Sequence, residues 1–255
     1  ESQTTLINKN NDIVLDNISF QYEGEYSPYI LKDVNLKIPY GKVTAIVGAS
    51  GSGKTTLLKL LLKFYDVTKG NINIGNQNLN DINPNQWREK CGVVMQDGFI
   101  FSDTIERNIT ISDNEINKER LIEACKVSNI FEFIQTLPLG FNTKIGGNGL
   151  GVSIGQKQRI LIARAIYKNP DFLFFDEATS ALDANNEKEI TDNLNSFFKN
   201  KTVIVVAHRL STVKNADQII VLENGKIAEI GTHEQLVKNK ANYYNLVSNQ
   251  LELGN

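Results

Sequence analysis

Gly48-Ala49-Ser50-Gly51-Ser52-Gly53-Lys54-Thr55 decides how the rest of this chain is read. The stretch matches G-x-x-x-x-G-K-[ST]. It stands between the apolar run Val43-Thr44-Ala45-Ile46-Val47 and a segment, 55–64, rich in Leu and Lys at helical spacing. Strand, glycine loop, helix is the order that a phosphate cradle needs. Glycines let the backbone wrap closely so that successive N–H groups point inward, and the helix N-terminus adds a favourable potential for anions. Ser50, Ser52 and Thr56 belong to the same cradle. Lys54 would bring a point charge to the β- and γ-phosphates and Thr55 a hydroxyl to Mg²⁺.

Such a cradle needs an acidic partner on a rigid element, because magnesium takes a carboxylate. Phe172-Leu173-Phe174-Phe175-Asp176-Glu177 supplies one: an apolar strand ending in two carboxylates. Asp176 would hold the metal, and Glu177 would act as the base that polarises an attacking water.

The remaining patterns arrange themselves around these two segments. Apolar residues alternate in Asn17-Ile18-Ser19-Phe20-Gln21-Tyr22 and in Val34-Asn35-Leu36-Lys37-Ile38, with Gly24 and Pro28 marking a turn between them. This predicts a small antiparallel sheet with one buried face. Short, nearly all-apolar runs at 43–47, 92–95, 172–175 and 203–206 predict strands covered on both sides, and residues 98–169 read as mainly helical. One or two amphipathic helices are expected at 233–253. The expected fold is α/β, with a RecA-like P-loop NTPase core (48–97 and 170–240), an N-terminal antiparallel β subdomain (about 11–47) and an inserted α-helical subdomain (98–169), together one domain over 1–255.

Composition excludes several classes. Over 255 residues, 27 basic and 29 acidic side chains leave a net charge of −2, so no bulk positive field invites nucleic acid. No apolar run approaches the roughly 18 residues that cross a bilayer. Cys91 and Cys125 lie far apart, outside any zinc or disulfide pattern, and are expected as buried apolar residues. The chain starts at Glu1 and its single methionine is Met95, so a piece of a longer polypeptide is expected.

Further segments resemble one family, the ATP-binding cassette (ABC) ATPases. Val152-Ser153-Ile154-Gly155-Gln156 is similar to the family's LSGGQ signature, Gln96 to its Q-loop glutamine, Ser180-Ala181-Leu182-Asp183 to its D-loop and His208 to its switch histidine. Tyr22 stands where the family places an aromatic that stacks on adenine; burial of its ring in the small sheet is the competing reading. The resemblance runs from about 13 to 236. It implies ATP and Mg²⁺ as cofactors, with Gln96 near the metal and His208 on the γ-phosphate. It also implies a head-to-tail homodimer in which Ser153, Gly155 and Gln156 of one copy close over ATP in the other. Ser153 and Gln156 independently form a helix-capping pattern.

Two positions depart from that pattern. Ile154 replaces the usual signature glycine, and Gly147, within Lys144-Ile145-Gly146-Gly147-Asn148-Gly149, replaces the glutamate of the exporter cross-communication loop. Phe101-Ser102-Asp103-Thr104-Ile105-Glu106-Arg107-Asn108-Ile109 and residues 179–183 resemble the exporter branch, in particular bacterial peptide or bacteriocin and type I secretion exporters. That branch implies a transmembrane domain in the same full-length chain, a position at the cytoplasmic face of the bacterial inner membrane and ATP-driven export, with peptides as cargo. The alternative is a soluble ABC ATPase without a transport role.

Overall fold

The computed structural model describes residues 10–252 apart from 112–114, 148, 179–181, 183 and 208. Two compact units emerge: Glu1–Lys90 with Asn200–Asn255, and Cys91–Lys199.

The first unit contains the expected antiparallel sheet. Ile13–Phe20 pairs with Leu31–Ile38 on one side and with Lys69–Ile74 on the other, and Gln77–Asn78 continues beyond. In Leu31–Ile38 the residues Leu31, Val34, Leu36 and Ile38 are buried while Lys32, Asn35 and Lys37 face water, the alternation of a half-buried strand. Two register shifts interrupt the pairing of Ile13–Phe20 with Leu31–Ile38. Asn17 and Asp33 sit there in the left-handed region, at φ 50° and 49°, which short polar side chains tolerate best.

Within the same unit, Val43–Val47 lies between Thr202–Val206 and Gln218–Glu223, parallel to both. All five residues of Thr202–Val206 are buried, as a strand covered on both faces requires. Gln218–Glu223 then turns through Asn224-Gly225 and runs back as Lys226–Gly231, with Glu223 opposite Lys226. Asn224 and Gly225 both have positive φ, 50° and 78°, as a two-residue hairpin turn demands. The helices His233–Asn239 and Asn242–Glu252 close the chain, joined by a 2.8 Å hydrogen bond between His233 Nδ1 and the Tyr243 hydroxyl.

The second unit sets Cys91–Val94 parallel to Phe172–Asp176, whose five residues are all buried. The 14-residue helix Ile154–Tyr167 packs on Cys91–Val94 and on the helices Ile105–Thr110 and Lys118–Val127. Gly92 allows this approach: a Cβ there would lie 2.8 Å from the Ala165 carbonyl. Both cysteines are buried and unbridged, and burial raises the Cys125 thiol to about 12, so it behaves as an inert core residue. Among the described residues, no helix is long and apolar enough to cross a membrane.

Candidate nucleotide-binding site

The glycine loop follows Val47 directly and ends where the helix Lys54–Leu61 begins. Gly48, Gly51 and Gly53 hold φ of 153°, 77° and 104°, values that L side chains rarely adopt. At two of them space is a second constraint. A Cβ on Gly48 would meet the Leu222 carbonyl at 2.2 Å, and one on Gly53 the Leu31 Cδ2 at 2.8 Å, whereas Gly51 faces open space. Gly53 stands at the N-cap of the helix, in the left-handed region and with no side chain to cap it.

Lys54 is buried at 6% exposure and donates from Nζ to the carbonyls of Gly48 and Ala49, each at 2.9 Å. Those bonds fold the loop around its own ammonium group. Ser52 is also buried, and its Oγ has no hydrogen-bond partner. A buried cation and an unspent hydroxyl are donors suited to phosphate oxygens. Thr55, the first helical turn's second residue, is partly exposed.

Tyr22 lies just beyond the strand Ile13–Phe20 and is 44% exposed, so its ring is not part of the sheet's core. Its hydroxyl is 2.9 Å from Thr56 Oγ1, and its ring meets Phe20 and Tyr65 edge to face at 4.8 and 5.2 Å. The ring is thereby held beside the helix that begins at Lys54 while staying partly exposed.

In the second unit Asp176 ends its strand at 1% exposure. A buried carboxylate on a rigid strand end suits a hard divalent cation. Glu177 follows in the left-handed region at φ 52°, a conformation that costs roughly 1–3 kcal/mol for a side chain of its kind and points to a constrained site. Gln96 Nε2 lies 3.4 Å from Glu177 Oε2, and Gln158 Nε2 donates to the Glu177 carbonyl at 3.3 Å. The structure thus brings Gln96 and Glu177 together. Gln158, from the helix Ile154–Tyr167, is an addition that sequence reading did not assign to the site.

Ser153 caps that helix by a reciprocal pair of bonds: its Oγ accepts from the Gln156 N–H at 3.1 Å, and its own N–H donates to Gln156 Oε1 at 2.9 Å. Gly155 lies in the same first turn. Ile154 points into solvent at 72% exposure, and Gly147 has room for a side chain. Ten residues further along the helix, Arg164 is held among carbonyls. It donates to Asn108 O at 2.7 Å, to Phe99 O at 2.8 Å and to Asn108 Oδ1 at 3.2 Å, and stacks over Phe101. Burial pulls its guanidinium down to about 10, still fully charged at neutral pH. Two expected site residues, Asp183 and His208, lie outside the described residues, as do Ser180 and Ala181.

A strand that leads into a braced glycine loop and helix, together with a buried strand ending in Asp-Glu, defines a P-loop nucleotide-binding domain. Residues 31–180 match the ABC transporter family model, and the chain belongs to that family as an ATP-binding domain. Multidrug resistance protein pgp-1 of Caenorhabditis elegans is 45% identical over 239 residues, which is 94% of this chain and 18% of that protein. A Staphylococcus aureus ATP-binding/permease protein named for multidrug export is 45% identical over 242 residues, 95% of this chain and 42% of its own length. Among solved structures, a bacterial Atm1-family ABC exporter with ATP bound superposes with a TM-score of 0.90 at 37% identity, covering 96% of this chain and 42% of the other. The chain therefore spans less than half the length of these relatives.

Proposed function

We propose that the chain hydrolyses MgATP to drive export through a transmembrane domain. The observation that carries this is the braced loop Gly48–Thr55, whose buried Lys54 and left-handed glycines suit a triphosphate. In this reading the whole of 1–255 acts as one ABC-type domain, with residues 98–169 as its helical signature part; of the expected antiparallel part, about 11–47, Val43–Val47 belongs instead to the parallel sheet, and Lys69–Ile74 joins the antiparallel one.

Each residue has a role. Tyr22 stacks on adenine. The backbone of Gly48, Ser50, Gly51, Ser52 and Gly53, with Lys54 and Thr56, holds the phosphates. Thr55, Asp176 and Gln96 would hold Mg²⁺, which neutralises phosphate charge when bound. Glu177 takes a proton from the attacking water, and the Gln96 amide, 3.4 Å away, orients that carboxylate. His208 and Asp183 carry the γ-phosphate and interface roles that the family resemblance implies. Ser153, Gly155 and Gln156 face the nucleotide of a second copy, giving a head-to-tail homodimer with two shared sites. Outward-pointing Ile154 stands at that junction. The domain then works at the cytoplasmic face of the membrane, and peptides remain the proposed cargo. Relatives named for export do not favour a soluble, non-transport role.

Glu177→Gln tests the chemistry. Its turnover should fall about 10²–10⁴-fold, the range for a general base, while MgATP binding persists and light scattering detects an ATP-dependent dimer. Near-normal hydrolysis would remove Glu177 from the base role. Absence of a dimer, with wild-type activity per molecule independent of concentration, would overturn the shared sites.

A further inference from the structure

The hairpin turn Asn224-Gly225 is far in sequence from the glycine loop, yet its Gly225 N–H is spent on it. Strand pairing explains why. Gln218–Glu223 runs parallel to Val43–Val47 with Val221 opposite Val47, so the residues just past Val221 lie beside the loop that follows Val47. The Leu222 carbonyl is the atom that a Cβ on Gly48 would strike, at 2.2 Å, and Leu222 Cδ2 lies 3.2 Å from the corresponding position on Gly53. At the turn, the Gly225 N–H donates to the Ser52 carbonyl at 3.2 Å. The Gly225 carbonyl accepts from the Lys32 N–H at 2.8 Å. Neither polar group of Gly225 serves its own hairpin.

We propose that Gly225 is a positioning residue for the phosphate loop: by holding the Ser52 carbonyl, its N–H aims the N–H of Gly53 at the bound phosphates. The reason is the geometry of a trans peptide, in which the carbonyl and the following N–H point in opposite directions. No cis bond occurs among the described residues, so fixing Ser52 O toward Gly225 turns the Gly53 N–H to the other side of the loop. The Lys32 bond anchors the turn to the antiparallel sheet, so the brace has a fixed base. Glycine is required at 225 on two grounds. Its φ is +78°, and a Cβ would lie 2.2 Å from the Ile30 carbonyl. The role rests on the reading of Gly48–Thr55 as the ATP phosphate site.

The test is an amide-to-ester replacement at Gly225, introduced by semisynthesis into the full chain, which deletes the N–H and adds no bulk. Loss of one hydrogen bond that orients a phosphate donor should weaken MgATP binding about 2–10-fold by calorimetry and raise KM in step, with kcat at saturation within about twofold of wild type. Gly225→Ala should exceed that loss, and Asn224→Gly, which keeps the turn and its N–H, should bind as wild type does. A purely structural role would instead lower the fraction of competent molecules, reducing stoichiometry and kcat at unchanged Kd. That pattern, or an ester variant with wild-type Kd and KM, overturns the proposal. Wild-type chain that binds no MgATP would overturn the ATP-site reading itself, and the brace with it.

Discussion

The phosphate loop and the start of the helix Ile154–Tyr167 both lead into a helix N-terminus, but they are built from opposite materials. At the loop the work is done by backbone: left-handed glycines, a buried lysine bonded to two carbonyls, and contacts from Leu31, Leu222 and Gly225. At the signature helix it is done by side chains of neighbouring residues, Ser153 and Gln156, with Ile154 exposed and Gly147 and Gly151 facing open space. A site made of backbone takes outside support as well: besides its own Lys54 bonds, the loop is held by the distant Gly225. A capping box needs only its own four residues.

That contrast sets how each should respond to change. Gly48→Ala forces a Cβ into the Leu222 carbonyl, and chemical denaturation should show a loss of about 2–4 kcal/mol together with a MgATP affinity at least about tenfold weaker. If it costs no more than a lost helix cap, the loop is not braced in the way described. Arg164→Met comes next, because it strips charged donors from the carbonyls of Phe99 and Asn108. A loss of about 2–3 kcal/mol in denaturation is expected, showing that the signature helix is anchored at its far end rather than at Ser153.

Gly51→Ala sharpens the comparison from within the motif. It shares the left-handed backbone of Gly48 but meets no neighbour, so only the conformational penalty remains, about 1–2 kcal/mol in melting experiments. Ser153→Ala should cost least, about 1 kcal/mol for a lost N-cap, read from the same denaturation curves. An effect as large as that at Gly48 would mean that the capping box carries tertiary contacts as well.

Much of this was legible beforehand, and for identifiable reasons. Val43–Val47, Phe172–Asp176 and Thr202–Val206 are apolar runs whose only stable place is a doubly covered sheet, and the Ser153–Gln156 spacing specifies its own hydrogen bonds. Lys69–Ile74 escaped because its first half is polar and exposed, and its strand identity comes from pairing with Ile13–Phe20. The hairpin Gln218–Gly231 carries its own sequence signal, Asn224-Gly225 between apolar runs. Tyr22 was ambiguous, since one alternation suits both a buried ring and a stacking surface. Its 44% exposure, with ring contacts to Phe20 and Tyr65, shows a half-packed ring rather than a core one.

The sequence by itself determined the family and the motifs that point to its chemistry: a phosphate-loop pattern with Lys54 and Thr55, adjacent carboxylates at Asp176 and Glu177, and the pattern that joins them. Residue type and short spacing suffice there, because the relevant geometry spans a few bonds. Only the tertiary structure decided what holds those groups in place: the Leu222 carbonyl against Gly48, Gly225 on Ser52, and Gln158 and Gln96 on Glu177. Such contacts join segments far apart along the chain, and which distant carbonyl or amide arrives is fixed by strand register and helix packing rather than by any local pattern.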